Sequence, residues 1–159
     1  MHMEPGNVVY HSPCLDGFCS CLGVFLCHQS VRFYPYHPGS EVALEPAEVT
    51  YFLDTIATEQ IFQAAVSISG RVVVIDHHWE VPALISSWSS SPTVHTVHSY
   101  THSACILAWN YFKSQRSPLT ASDSTDTEVE ALLLYVQDRD LYANVLPGCE
   151  EVIAGLNEV

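Results

Sequence analysis

The chain predicts an α/β fold: a mostly parallel five-stranded sheet with helices on both faces. Three observations carry this expectation. Short apolar runs alternate with segments of helical period along the length, as in successive βαβ units. One run, Val72-Val73-Val74-Ile75, is apolar without interruption, the pattern of a strand buried on both faces. Several runs end in His or Asp, and in open α/β sheets ligands bind just beyond the carboxyl ends of the strands.

The elements follow in order. Residues 7–11 read as a first strand, closed by a turn punctuated by Pro13 and Gly17. Phe18, Cys21, Leu22, Phe25 and Leu26 recur at helical spacing over 18–28, which leaves His11, Cys14 and Asp16 in the loop. Residues 31–36 form a second strand, ended by Pro35 and the Pro38-Gly39 turn. An acidic connection over 41–48 leads to a third strand, 49–53, ending at Asp54. A short helix over 58–67 turns Ile61, Phe62, Ala65 and Val66 inward, and Ser69-Gly70 stops it. The fourth strand begins at Arg71 and delivers Asp76, His77, His78 and Trp79.

The Ser-rich stretch 82–92 reads as a helical turn and a loop, followed by a weaker fifth strand over 93–97. A helix over 103–112 buries Ile106, Leu107, Trp109 and Phe112. The polar loop 117–126 ends in a capping signal, Thr125 with Glu128 or Thr127 with Glu130. The next helix, 126–136, carries Val129, Leu132, Leu133 and Val136 and delivers Asp138-Arg139-Asp140. A last helix spans 149–156. There is no internal repeat, and residues 1–159 read as one domain.

Composition bounds the function. At 48% hydrophobic residues the chain can bury a full core, yet no run approaches the roughly 18 apolar residues of a membrane helix. The first ten residues lack a basic region followed by an apolar one, so no secretory leader is expected. A cytoplasmic location and six reduced cysteines are the corresponding expectations. The net charge is −13, with Arg32, Arg71, Lys113, Arg116 and Arg139 as the cations. That balance excludes an extended nucleic-acid groove, which needs a basic surface, but not a metal-bridged site for a small phosphate ligand. Nine histidines keep metal chemistry open.

A parallel sheet places all strand carboxyl ends along one edge. His11, Asp16, Asp54, the Asp76-His77-His78 triplet and Asp138 or Asp140 would then converge there. Carboxylates packed together repel one another and need a counter-cation. Mixed carboxylate and imidazole donors suit Mn²⁺ or Mg²⁺ and accommodate Zn²⁺, Co²⁺ or Fe²⁺. Two ions bridged by one carboxylate would serve phosphoester hydrolysis.

These residues, in this order, resemble the DHH phosphoesterase superfamily, in particular the N-terminal catalytic domain of its RecJ-like and oligoribonuclease-like members. Tyr10-His11-Ser12-Pro13-Cys14-Leu15-Asp16-Gly17-Phe18 is similar to the first motif, and Tyr51-Phe52-Leu53-Asp54 to the second. Val74-Ile75-Asp76-His77-His78 matches the third, and the segment from Tyr135 through Asp138 to Tyr142 resembles the fourth. His102-Ser103-Ala104-Cys105 with Trp109 resembles the helix start found between the last two. The resemblance implies two divalent ions, most readily Mn²⁺, with Mg²⁺ or Co²⁺ as alternatives. It implies that Asp54 bridges them, that His11 completes one site, and that Asp16, His77 and Asp138 complete the other. Asp76 would orient His77, His78 would face the phosphate, and the nucleophile would be a metal-bound hydroxide.

Two departures stand out. Cys14 occupies the place of a common family aspartate, as a softer candidate ligand. The family's Gly-rich, basic C-terminal substrate-binding domain is not expected within a sequence ending at Val159.

Other residues carry two readings each. Cys14, Cys19, Cys21, Cys27 and His28 lack the paired spacing of a zinc site, and Cys21 lies on an apolar face. His95 and His98 read as rim residues, whereas His102 opens a helix near the rim and is a candidate phosphate contact. Trp79 and Trp88 either cover a base or pack the loop. Arg139 either contacts phosphate or pairs with Asp138 or Asp140, the ion pair being favoured. Asp140 reads as a helix-end residue. The expected activity is phosphodiester hydrolysis of a short oligonucleotide or small nucleotide, with pyrophosphate hydrolysis as a sub-class. The competing expectation is a non-catalytic module that holds metal or phosphate in a degenerate site.

Overall fold

Strands β1 (Gly6–His11), β2 (Val31–Tyr36), β3 (Ala47–Leu53), β4 (Ser69–Asp76) and β5 (Val94–His98) form one sheet in the order β2-β1-β3-β4-β5. Every pairing is parallel. The structure, a computed structural model, describes residues 6–27, 30–88, 90–116 and 123–158. The leader reading of residues 1–5, His28, part of the Ser-rich stretch (residue 89) and most of the polar loop (117–122) lie outside the described residues.

Alternating side chains explain the two-sided core. Val8, Tyr51, Leu53, Val73 and Ile75 point to one face, where helices α1 (Leu15–Cys27) and α4 (Ala104–Lys113) bring Val24, Ala108 and Phe112. Val9, Phe52, Val72 and Val74 point to the other, against Phe62 and Ala65 of α2 (Glu59–Ile68) and Val81 of the short α3 (Val81–Leu84). Both faces are covered, which is why the fourth strand reads as an unbroken apolar run.

Helices α5 (Asp123–Asp140) and α6 (Cys149–Asn157) form a further layer outside α1 and α4, around Trp109, Leu133, Val136 and Ile153. Polar contacts fasten it. Trp109 Nε1 donates to Glu130 at 2.9 Å, Lys113 pairs with Glu130 at 2.6 Å, and Arg116 pairs with Asp126 at 2.6 Å. Glu130 is therefore engaged with α4, and both Thr125 and Thr127 lie inside α5, so neither expected capping signal opens the helix. Thr58 does cap α2, accepting from the Ile61 amide at 3.2 Å. Ser69 and Gly70, expected to stop that helix, are already part of β4.

The register lines up the strand ends. His11 is level with Tyr36, Tyr10 with Leu53, Leu53 with Ile75, and Asp76 with His98. Asp54, Asp76 and His11 thus emerge side by side on the carboxyl edge. No helix among the described residues is long and apolar enough to cross a membrane.

Candidate metal centre

The site starts from a close approach. A Cβ on Gly17 would lie 2.3 Å from the carbonyl oxygen of His11, so only glycine lets α1 fold back onto the end of β1. The helix consequently begins at Leu15, and Asp16 occupies its first turn rather than the loop expected for it. The buried Asp16 carboxylate accepts the amides of Ala104 at 2.8 Å and Cys105 at 2.9 Å. An anion thus sits on the amino end of α4, where unpaired amides and the helix dipole favour it.

Asp54 follows β3 with φ of 58°, in the left-handed region. Aspartate tolerates that region better than most residues, at a cost of roughly 1–2 kcal/mol. The turn sets its carboxylate between two imidazoles. His11 Nδ1 lies 3.1 Å from Oδ2 and His77 Nε2 lies 3.4 Å from Oδ1. His77 Nε2 also lies 3.3 Å from Asp140 Oδ2 and 3.7 Å from Asp16 Oδ2.

Three overlapping donor groups result: His11, Cys14 and Asp54; Asp54, His77 and His78; Asp16, His77 and Asp140. Within each group the candidate ligand atoms lie within 4.8 Å of one another. Asp54 Oδ1 and Asp140 Oδ2 are buried without a hydrogen-bond partner, since His77 approaches both without hydrogen-bond geometry. Buried carboxylate oxygens with unused lone pairs beside imidazole and thiol groups fit divalent cations. Asp54 belongs to two groups, the position the resemblance gives to a bridging ligand.

Several expectations are corrected. Asp138 does not join the cluster: its carboxylate accepts the amides of Val145 at 2.9 Å and Leu146 at 3.2 Å and fastens the chain after α5. Asp140 takes its place. At 3.6 residues per turn, side chains two apart point about 200° away from each other, so only one of the pair can face His77. Asp76 does not orient His77 either. Its Oδ1 accepts the His77 and His78 amides at 2.6 and 2.9 Å and the His78 ring Nδ1–H at 2.7 Å. Asp76 continues the α2 side of β4, and the pleat turns the next residue to the opposite side.

Arg139 is exposed and has no ion pair with Asp138 or Asp140 among the described residues. It instead lines a cavity of about 270 Å³ together with Cys14, Asp16, Asp140 and Tyr142. A second cavity, about 300 Å³, opens on the other side of the cluster, lined by His11, Tyr36, Asp54, His78 and Leu84. His102 is exposed, bonded to Ser99 and Thr101, and belongs to none of the three donor groups. His98 sits on the rim, its Nε2 2.9 Å from the His78 carbonyl oxygen. Trp79 is exposed, whereas Trp88 packs edge-on against Phe62.

The electrostatics describe a site strained by its own charge. Burial and the neighbouring Asp54 raise Asp16, and burial with Asp16 raises Asp140 to about 6. Hydrogen bonding to Asp54 raises His11, the close Asp54 carboxylate together with Asp140 and Asp16 raises His77, and bonding to Asp76 raises His78 to about 9. Burial opposes ionisation of Asp54, but the His11 and His77 contacts outweigh it and hold the carboxyl at about 2. Burial pushes the Cys14 thiol up to about 12, so it loses its proton at neutral pH only to a metal ion.

No family model matches the chain, and no curated protein is significantly similar to it. Among solved structures it is similar to the crystal structure of an uncharacterized protein from Helicobacter pylori G27, with a TM-score of 0.67 and 16% identity. The similarity covers 91% of this chain and 45% of that one, so the chain spans just under half the length of its structural neighbour. At that identity the likeness establishes the α/β fold alone.

Proposed function

We propose that the chain is a metal-dependent phosphohydrolase of the DHH phosphoesterase superfamily, acting as a phosphodiesterase on short oligonucleotides or small nucleotides. The observation that carries the reading is the convergence of His11, Asp16, Asp54, His77 and Asp140 on one sheet edge, with partnerless carboxylate oxygens buried among them. Held by these residues, two divalent ions, Mn²⁺ first, would supply an activated water and neutralise charge on the phosphoryl oxygens.

The chain's own residues do the rest. Asp54 holds both halves of the cluster together from a turn that the sheet register fixes. Asp16 ties the centre to α4, so the ligand geometry is set by packing rather than by a mobile loop. His78, kept protonated by Asp76, lines the cavity beside Asp54 and can donate a hydrogen bond to a phosphoryl oxygen. Arg139 offers a guanidinium on the opposite side. The two cavities are of a size to admit a phosphoryl group and part of a nucleoside, not a long strand.

Hydrolysis of a generic phosphodiester, a dinucleotide and pyrophosphate is measured with Mn²⁺. The expected result is diester cleavage that falls by two orders of magnitude or more in Asp54→Asn and His78→Ala, the scale of losing one stabilising donor. Equal rates in wild type and variants contradict the reading. A second reading, a non-catalytic metal-holding module, is favoured by one observation: Arg139 is the only Lys or Arg lining the described cavities. Stoichiometric metal binding without turnover on any of the three substrates supports it.

A further inference from the structure

The six cysteines do not have equivalent surroundings. Cys21 and Cys27 pack into the core beneath α1 and α4, and Cys19, Cys105 and Cys149 pack into the α4–α5–α6 layer. Cys14 belongs to no apolar cluster. It stands on the turn ahead of α1, where its carbonyl accepts the Phe18 amide at 2.9 Å. That turn puts its sulfur within 4.8 Å of candidate ligand atoms of His11 and Asp54. Asp54 itself is only 2% exposed, with Oδ1 unpartnered. Cys14 also lines the cavity of about 270 Å³.

The two ends of the cluster therefore differ in donor chemistry. One end offers nitrogen, sulfur and oxygen from His11, Cys14 and Asp54; the other offers two carboxylates and one imidazole from Asp16, Asp140 and His77. Thiolate donors favour Zn²⁺, Co²⁺ and Fe²⁺, whereas carboxylate-rich sites suit Mn²⁺ and Mg²⁺. We propose that the His11–Cys14–Asp54 corner is a thiolate-containing site selective for Zn²⁺ or Co²⁺, and that the centre is loaded with two different metals. This rests on the metal-centre reading given above and deepens it: Cys14 sets which ion the first position takes, rather than emptying it.

Cobalt alone is the probe. Metal-free protein titrated with Co²⁺ is expected to develop a thiolate-to-cobalt charge-transfer band in the near ultraviolet that saturates at one equivalent. The band is absent in Cys14→Ser, a near-isosteric change, and in Cys14→Asp. Zn²⁺ displaces it, and excess Mn²⁺ does not. From an equimolar Zn²⁺ and Mn²⁺ mixture, wild type retains one of each by elemental analysis. Cys14→Asp loses selectivity for Zn²⁺ roughly tenfold, the scale of a ligand-sphere change. Cobalt bound without the band, or a band that persists in Cys14→Ser, overturns the thiolate assignment while leaving a metal centre standing. No cobalt bound at all overturns both.

Discussion

Asp138 and Asp140 stand two residues apart on α5 and serve different ends. Asp138 holds the chain after the helix through two amides, whereas Asp140 faces His77 and Asp16. Asp140→Asn is expected to weaken Mn²⁺ binding by about tenfold or more in an equilibrium titration. Asp138→Asn should leave metal stoichiometry unchanged and lower the thermal midpoint instead. The site's proton affinities add a pH dependence. Asp140 rises from 3.8 to about 6 on folding, so its contribution to stability is present below the ordinary value and lost as pH rises through 6. His78 behaves alike, its contribution lost as pH rises through about 9. Asp54, held at about 2, contributes above 3.8 and loses that contribution only as pH falls toward 2. The metal-free protein should therefore lose stability between about pH 5 and pH 9 through these groups. Mn²⁺ should raise the melting midpoint more at pH 7 than at pH 5, and an equal rise at both would contradict the charge assignment.

At the scale of elements, the centre depends on how α1 and α4 seat on the sheet. Gly17→Ala drives a methyl into the His11 backbone, which separates α1 from β1 and moves Asp16 and His11 apart. A destabilisation of roughly 1–3 kcal/mol with loss of metal binding is expected in denaturant unfolding and titration. Phe112→Ala, under the sheet and far from the carboxyl edge, should cost about 3–5 kcal/mol and leave the metal stoichiometry of the folded fraction intact.

These elements also mark what the sequence could and could not disclose. The unbroken Val72–Ile75 run and the polar strand ends were enough for a parallel sheet covered on both faces, because that pattern has few other physical causes. His11, Asp54 and His77 were legible for the same reason: strand ends of a parallel sheet share an edge. Asp140 was not. Which of two nearby acids faces inward depends on the rotational phase of α5, set by Leu133, Val136 and the layer they pack into. Asp16 reads as a loop residue in the sequence because the fold-back at Gly17 is a tertiary contact with no local signature. The sequence does not disclose which imidazole Asp76 meets, because that choice follows from the pleat, visible once the strand's last residue is known.

Over the whole molecule, the described cations stand mostly away from the carboxyl edge of the sheet. Among the described residues Arg32 pairs with Glu45 near the amino end of the sheet, Arg71 bonds Tyr111, and Lys113 and Arg116 fasten α4 to α5. Arg139 alone borders the described cavities. A phosphate ligand would be held chiefly by metal, so substrate binding should vanish with chelation and respond weakly to ionic strength. Asp54, shared by two of the donor groups, would join a pair of cations, and elemental analysis after dialysis against Mn²⁺ with trace Zn²⁺ counts them. Two divalent ions per chain are expected in wild type and no more than one in Asp54→Asn. No bound metal in wild type, or two ions retained in Asp54→Asn, would contradict it.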